Sequence, residues 1–484
     1  MRNTFIILGL VVVSYGTPMF AQNGSAEARP LARRPEVAAA IAVLDAWVTA
    51  TVASREQPGL SLGIVHDQDL IWAKGYGFSD LARKVPATPS TVYRIASISK
   101  LFTTTAILQL RDAGRLQLDD PVVKYLPWFK IKNAHPDGPA ITIRHLLTHT
   151  SGLPREAAGV NWSDLTMPKR EEMIRRIGEQ ETVFPAETEW KYSNLGLTLA
   201  GEIVASVSGE PWDHYVESHV LRPLGMKTTT PVPTSKLPHL AVRVPGSLRD
   251  VEAFLDIEAE RPAGSLASTV EDLARFASLQ LRDGPVGGAQ ILKGSTLREM
   301  HRIQWLRPDW RNGWALGFSV RRVGDQVRIG HGGSLPGHLT RIEIAPADKL
   351  AVIVLTNAND GEPGRYVDQA FTLLTPAIVK AAAAPKSISP TDPSWEKYVG
   401  TYTWKHSDIQ ILILNGELTM ITPEADNPWE ARWTLTPVGP HRFRVVPSAG
   451  YVGSGPTGDL LTFDVDSQGQ VKRAGTPNFY WVRK

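Results

Sequence analysis

The segment that most constrains the fold begins at Ser97 and ends near Gly114. Its apolar residues recur with a helical period, and five residues form one face: Ile98, Leu101, Phe102, Thr105 and Leu108. Ile107 and Leu110 lie elsewhere on the cylinder, so the predicted helix is apolar nearly all round. Such a helix has to be central, with other elements packed on every side. Gly114 suits the position just past the end of a helix.

Strand patterns occur on both sides of a helical middle. Alternation at Leu60, Leu62 and Ile64, a turn at 67–69 and a second strand at 70–77 predict a β-hairpin. Antiparallel strands are also predicted at 326–331, 340–345 and 350–357. Helices are predicted at 35–54, 142–149, 168–179, 194–208, 212–221, 268–281 and 366–383.

This order of elements predicts an α+β fold. The strands at the two ends share one antiparallel sheet, helices cover that sheet, and the middle of the chain forms a helical subdomain. We place this domain at residues 35–384. The cleft where its two parts meet is the expected site, because ligands usually bind where such parts adjoin.

The end of the chain has a different composition. Residues 385–395 are rich in Ala, Pro, Ser and Thr and are typical of a linker. Residues 396–484 contain many short strand patterns, including a type I′ hairpin signal at Asn415-Gly416. We expect a small antiparallel β-barrel here.

The beginning of the chain resembles an export signal. Arg2 precedes an apolar run at 5–13, and Pro18 and the small residue Ala21 follow. This pattern predicts a signal peptide over residues 1–21 and an exported protein of the bacterial periplasm or the extracellular space. The run is about half the length that a bilayer requires, so we expect no stable membrane insertion.

Composition excludes several classes of function. The chain has no cysteine, so disulfides, thiolate zinc sites and cysteine nucleophiles are excluded. Lys and Arg number 52 against 49 Asp and Glu, without a basic cluster, so we expect no nucleic-acid partner.

The central helix opens with Ser97-Ile98-Ser99-Lys100. Residues three apart on a helix are neighbours, so Lys100 lies beside Ser97. A serine hydroxyl needs a base within hydrogen-bond reach, and a buried lysine can be one. The free N–H of Ser97 can face a developing oxyanion. Taken alone, the motif also suits an ordinary exposed helix start, but the strongly apolar helix that follows it argues against that alternative.

Two later segments supply further candidates. Tyr192 lies just before a predicted helix that starts at Asn194, and a phenol near a lysine can act as a base. The Asn194 amide can hold the lysine and bind a substrate carbonyl. His331-Gly332-Gly333-Ser334 is expected to end a strand, with the Ser334 N–H as a second oxyanion donor. Taken singly, these segments also suit a packed tyrosine with a helix cap and a turn between strands.

Together, in this order, the motifs resemble the serine β-lactamase and penicillin-binding-protein superfamily, closest to its branch of class C β-lactamases, esterases and D-aminopeptidases. The resemblance covers about residues 59–384 and is carried by YRIASISKLFT, ITIRHLLTHTSGL, YSNLG, PAGSLASTVEDLARF and GHGGSLPG. It implies a β-lactamase-like fold with an accessory barrel. It also implies that Ser97 is acylated, that Lys100 and Tyr192 move protons, and that Asn194 and residues 331–334 bind substrate.

The chain departs from class C β-lactamases at two points. Those enzymes carry lysine at the position of His331, and a mostly neutral histidine is a poorer anchor for a carboxylate. The stretch after Leu153-Pro154 lacks the glutamine expected of a β-lactamase. We therefore expect a serine hydrolase that is carboxylesterase-like, and we expect its partner to be a small-molecule ester, amide or peptide substrate. We expect no metal and no cofactor. The alternatives are a D-aminopeptidase, a D-alanyl-D-alanine carboxypeptidase, a weak class C-like β-lactamase, or a penicillin-binding sensor without turnover.

Three other patterns are expected to be structural. Ser61 sits in a G-x-S-x-G sequence, but in a strand rather than at the strand-to-helix turn that a nucleophile elbow requires. His145 and His149 are four apart without a third ligand, so they do not complete a zinc site. Three tryptophans are expected to pack in the core or to line the cleft: Trp305, Trp310 and Trp314.

Overall fold

The computed structural model describes residues 31–241, 254–282, 288–382, 392–405, 407–414, 416–425, 428, 432–447 and 456–484. The chain divides into two compact units, with the boundary between residues 382 and 383. The predicted signal peptide, Asn415 of the predicted hairpin turn and residues 385–391 of the predicted linker lie outside the described residues.

The described part of the first unit contains these α-helices: α1 Pro35–Ser54, α2 Ser99–Asp112, α3 Val122–Tyr125, α4 Ile143–Thr148, α5 Arg170–Arg176, α6 Asn194–Ser208, α7 Trp212–Val216, α8 Arg261–Gly264, α9 Val270–Gln280, α10 Gly294–His301 and α11 Pro363–Ala382. Its strands are β1 Gly59–His66, β2 Asp69–Asp80, β3 Val85–Pro86, β4 Tyr93–Arg94, β5 Ala267–Ser268, β6 Trp305–Leu306, β7 Asn312–Trp314, β8 Ser319–Val323, β9 Gln326–Leu335, β10 His338–Ala345 and β11 Leu350–Thr356.

Nine of these strands form one antiparallel sheet in the order β3-β2-β1-β11-β10-β9-β8-β7-β6. Strand β1, from the start of the domain, pairs with β11, from its end, and Leu62 lies opposite Val354. The prediction that the two ends of the domain share a sheet is therefore confirmed. The strands β4 and β5 form a separate pair.

Two apolar clusters sandwich the centre of the sheet. Every residue of β11 is buried, as expected of a central strand covered on both faces. Leu62 and Val354 belong to the cluster that contains the buried faces of α1 and α11. Ile353 and Leu355 belong to the other cluster, which contains α2, α6 and α9. Alternate residues of β11 thus face opposite sides, as the period of a strand requires.

Helix α2 is the centre of the second cluster, as its apolar sequence predicted. Eleven of its residues are buried, and the ring centroid of Phe102 lies 4.5 Å from that of Phe276 in α9. Gly114 follows the helix with φ +72°, a left-handed conformation that glycine adopts without strain.

The structure corrects the prediction at three places. Ser97 lies in a 3-10 turn, Ala96–Ile98, and α2 begins only at Ser99. Strand β9 does not end at His331 but continues to Leu335, because β10 supplies ladder partners as far as Leu335. The short strands β6, β7 and β8 were not predicted, since runs of two to five residues carry too little alternation.

Helix α1 is both apolar enough for a membrane span and part of the folded core. Its 20 residues have the length and composition to cross a membrane. In the folded unit, however, Val37, Leu44, Val48 and Val52 of this helix are buried and belong to the core cluster. A core helix passes the same test of length and hydropathy.

The second unit is a closed antiparallel barrel, which confirms the prediction for the C-terminal region. Its strands are β12 Gly400–Trp404, β13 Ser407–Leu414, β14 Glu417–Ile421, β15 Arg432–Gly439, β16 Arg442–Pro447, β17 Leu460–Val465, β18 Val471–Gly475 and β19 Tyr480–Arg483. Tyr402, Phe443 and Phe463 are among the buried residues of its interior. Closure leaves no free sheet edge in the barrel.

The packing of α1 on the sheet leads to a stability prediction. Leu62 is fully buried beneath this helix, whereas Val43 on α1 is 54% exposed. We expect Leu62→Ala to lower the free energy of unfolding by about 2–5 kcal/mol. The control Val43→Ala should change it by less than about 0.5 kcal/mol. Urea unfolding followed by circular dichroism measures both, and equal effects of the two substitutions would contradict the described packing.

Candidate active site

A cleft of about 1230 Å³ in the first unit brings the predicted site residues together. Seven of the eight line it: Ser97, Tyr192, Asn194, His331, Gly332, Gly333 and Ser334. The eighth, Lys100, is fully buried and contacts Ser97 from within the core. Three segments, separated in the sequence by 95 residues from Ser97 to Tyr192 and by 139 residues from Tyr192 to His331, thus meet at one place.

The Ser97–Lys100 contact is a direct hydrogen bond. Lys100 Nζ donates to Ser97 Oγ at 3.0 Å and to the backbone oxygen of Ala263 at 2.6 Å. Nearby, Ser99 Oγ accepts the backbone N–H of Leu266 at 3.0 Å and ties the start of α2 to the chain just after α8. The amine is therefore desolvated but hydrogen-bonded, and it lies directly against the Ser97 hydroxyl.

The start of α6 positions Tyr192. Ser193 caps this helix, since its Oγ accepts the N–H of Gly196 at 2.9 Å and donates to Pro154 O at 2.6 Å. The ring of the preceding residue, Tyr192, has its centroid 5.0 Å from Lys100 Nζ and 5.1 Å from the Arg155 guanidinium carbon. Serine, lysine and tyrosine therefore share one site, and the basic side chains of Lys100 and Arg155 lie beside the aromatic ring.

His149 supports this arrangement in a way that the sequence did not reveal. It ends α4 with φ 59°, and its ring centroid lies 4.3 Å from that of Tyr192. Its Nδ1 accepts the backbone N–H of Ser193 at 3.2 Å, so the neutral ring carries its proton on Nε2. Burial, reinforced by Lys100, holds the pKa of His149 well below its ordinary value.

His145 has a different role from His149. Its Nδ1 accepts the N–H of Thr142, and its Nε2 lies 2.8 Å from Glu187 Oε1. Among the described residues, no group of three or more His, Cys, Asp or Glu side chains is arranged to hold a metal ion.

Gly333 allows β9 to approach the serine closely. A Cβ atom at this position would lie 2.2 Å from Ile95 O and 2.2 Å from Thr340 Oγ1, distances that no side chain tolerates. Ile95 directly precedes the turn that holds Ser97. Pairing between β8 and β9 stops at Ser319 and Gly330, so residues 331–335 pair only with β10 among the described strands. Their other edge borders the cleft.

His331 is buried in the wall of the cleft. Its Nδ1 lies 2.6 Å from the backbone oxygen of Gly332. An oxygen of this kind only accepts, so Nδ1 carries the proton. Burial and, secondly, the Lys100 charge lower the pKa of His331 to about 3, so the ring is neutral at ordinary pH.

Two carboxyl groups that the sequence analysis did not single out lie beside Asn194. Asn194 Nδ2 donates to Glu156 Oε2 at 2.8 Å, and the backbone N–H of Ala157 donates to Glu260 Oε1 at 2.9 Å. Burial and the neighbouring Glu156 raise the pKa of Glu260 to about 8. One sequence signal did exist, because Glu156 lies in the stretch where a β-lactamase would have glutamine.

Ser61, Trp305 and Trp314 occupy the expected kinds of position, whereas Trp310 does not. Ser61 is buried in β1, where its hydroxyl donates to Thr88 O at 2.8 Å and lies 3.0 Å from the Tyr93 hydroxyl. Trp314 packs near both His149 and His331, with ring centroids 4.9 and 5.5 Å away. Trp305 is partly buried in β6, but Trp310 is 75% exposed, so the prediction that Trp310 packs in the core or lines the cleft is wrong.

Comparison with known proteins agrees with this architecture. Residues 44–376 match the family model described as Beta-lactamase. Over 323 residues, the chain is 30% identical to Protein flp of Staphylococcus aureus strain MW2, an alignment that covers 65% of this chain and 62% of that protein. The chain therefore matches less than two thirds of the length of that relative.

Solved structures with a similar fold include the following two. The octameric penicillin-binding protein homologue from Pyrococcus abyssi is 24% identical with a TM-score of 0.60, covering 92% of this chain and 100% of that one. EstCE1, a hydrolase with promiscuous acyltransferase activity, is 22% identical with a TM-score of 0.59, covering 70% of this chain and 99% of that one. Because the family model spans more than half of the sequence and the fold agrees, the chain belongs to the beta-lactamase family.

Proposed function

We propose that this protein is a serine hydrolase that transfers an acyl group from an ester to water through Ser97. The observation that carries the proposal is the buried Lys100 amine, which donates at 3.0 Å to the Ser97 hydroxyl within a cleft lined by Tyr192. A serine at such a place has both a base and space for an acyl group.

The proposed reaction has two half-reactions. Ser97 Oγ attacks the acyl carbon while its proton passes to the Lys100–Tyr192 pair. The tetrahedral oxyanion is held by the backbone N–H groups of Ser97 and Ser334. When the carbon–oxygen bond to the alcohol breaks, the leaving oxygen takes that proton. Water, deprotonated by the same pair, then attacks the acyl-serine, and the carboxylic acid and Ser97 are released.

The surroundings favour an ester over a β-lactam. With the pKa of His331 near 3, this residue presents no positive charge to a substrate carboxylate at neutral pH. One wall of the cleft is apolar and suits an uncharged acyl or alcohol group; it includes Trp162, Leu165, Ile257, Leu335 and Pro336. EstCE1, which shares the fold, is a hydrolase with acyltransferase activity.

A D-stereospecific peptidase is the second candidate, favoured by the carboxyl groups of Glu156 and Glu260 beside the cleft. A sensor that is acylated once would use the same serine but would stop after one equivalent of product.

We also propose that the enzyme acts outside the cytoplasm, a proposal supported by the signal-peptide pattern of residues 1–21.

The first test is covalent labelling with a fluorophosphonate probe. We expect Ser97→Ala to abolish labelling, because no other hydroxyl in the cleft has an amine partner of this kind among the described residues. The matched control is Ser61→Ala, which removes a buried hydroxyl bonded to Thr88 O and should leave labelling intact. Mass spectrometry of the labelled peptide identifies the residue, and persistent labelling of Ser97→Ala would refute the assignment.

A second test concerns the neutral state of His331. The folded protein keeps this ring neutral down to about pH 3, whereas an unfolded chain protonates it near 6.5. Below pH 6.5 the unfolded state therefore binds more protons, and folding stability falls. From pH 6.5 to 5, the wild type should lose about 1.5 kcal/mol more free energy of unfolding than His331→Gln. Parallel loss in both proteins, measured by urea unfolding, would show that the ring is protonated in the folded state.

A further inference from the structure

We infer that His149 is a positioning residue for the proposed acyl transfer: its imidazole Nδ1 accepts the Ser193 N–H and thereby fixes the Tyr192 phenol. This inference rests on the proposed function, in which Lys100 and Tyr192 take up the proton of Ser97. It adds a buried residue that is not part of the cleft lining and that acts through Tyr192.

His149 holds the chain on both sides of Tyr192. Its backbone oxygen accepts the N–H of Lys191 at 2.8 Å, and its Nδ1 accepts the N–H of Ser193 at 3.2 Å. The two residues that flank Tyr192 are therefore bonded to one residue at the end of α4. Because the backbone before and after Tyr192 is held in this way, the direction in which the phenol leaves the chain is held as well.

The imidazole ring also packs against the phenol ring, with centroids 4.3 Å apart. His149 is 1% exposed and Ser193 is fully buried, so the bond between them is shielded from water, and its loss leaves a buried donor unpaired. Burial, reinforced by the Lys100 charge, holds the pKa of His149 well below its ordinary value, so Nδ1 remains an acceptor at neutral pH.

The other ring nitrogen, Nε2, is not placed to carry a proton. It is buried and has no hydrogen-bond partner among the described residues. The rings of Trp190 and Trp314 lie beside the imidazole, with centroids 6.0 and 4.9 Å from that of His149. A group that transfers a proton needs a partner within hydrogen-bond reach. The contacts of His149 are therefore those of a residue that orients Tyr192 rather than one that reacts.

The experiment separates the Nδ1 acceptor from the ring with two substitutions in the full chain. His149→Phe keeps an aromatic ring but has no acceptor. In His149→Asn the side-chain oxygen takes the place of Nδ1, and asparagine tolerates the left-handed conformation of this residue, φ 59°. The readout is the rate at which a fluorophosphonate labels Ser97, which is irreversible and so remains measurable in slow variants. We expect His149→Phe to slow labelling at least ~10-fold and His149→Asn to stay within ~3-fold of the wild type.

A second measurement tests whether His149 acts through the Tyr192 phenol. His149→Phe is combined with Tyr192→Phe, and labelling is compared with that of Tyr192→Phe alone. A positioning residue has nothing to position once the phenol is absent. We therefore expect His149→Phe to change the rate less than ~2-fold in this background. A merely structural defect slows labelling in both backgrounds alike.

The matched control is His145→Phe on the same helix. His145 is 4% exposed, and its Nδ1 accepts the N–H of Thr142 at 3.2 Å, the length of the bond from Ser193 to His149. The control thus removes an equivalent bond that does not hold the backbone beside Tyr192, and labelling should stay within ~2-fold of the wild type. Circular dichroism verifies that each variant is folded. If His149→Phe does not fold, His149→Ala, which also lacks the acceptor, takes its place.

Several results would overturn the inference. Labelling of His149→Phe at the wild-type rate, or an equal loss in His149→Asn, would show that the acceptor does not matter. An equal loss in the Tyr192→Phe background or in His145→Phe would assign the effect to general loosening. In these cases the hydrolase stands if the wild type is labelled at Ser97 and hydrolyses p-nitrophenyl acetate. If the wild type does neither, the proposed function fails and the inference falls with it.

Discussion

The hydrogen bond from Lys100 Nζ to Ser97 Oγ is the interaction on which the site depends. A fully buried amine is costly unless its donors are used, and here they bond to the hydroxyl and to Ala263 O. This requires α2 to be central, so that the lysine is desolvated, and it requires α8 to present a carbonyl oxygen to it. The central position of α2 thus accounts for its apolar sequence, and it also desolvates the amine on which the proposed reactivity of Ser97 depends.

The sheet supplies the other half of the site. Because a Cβ at residue 333 would clash with Ile95 O, Gly333 lets β9 lie close to the turn that holds Ser97. The backbone edge of residues 331–335, unpaired toward β8 among the described strands, then borders the substrate space. His331 contributes a neutral ring to this edge. This residue therefore offers no positive charge to a substrate carboxylate at neutral pH.

Much of this architecture could be predicted from the sequence, and the failures have physical causes. The period of α2 and the strand patterns at both ends of the domain depend on local hydrophobic patterning, which a sequence displays directly. The continuation of β9 through two glycines depends on its partner β10, which no local pattern encodes. The contacts of His149 with Tyr192 and of Glu156 with Asn194 join distant segments, and only the folded chain reveals them.

The account requires Lys100 and Tyr192 to act on Ser97 as a unit, and a double-mutant cycle on acylation tests this most directly. The rate of acylation by a p-nitrophenyl ester is measured from the burst phase in the wild type, Lys100→Met, Tyr192→Phe and the double variant. We predict that each single substitution slows acylation by at least ~100-fold and that the double variant is within ~10-fold of the slower single. Acylation of Tyr192→Phe at the wild-type rate, or fully multiplicative losses in the double variant, would contradict the account.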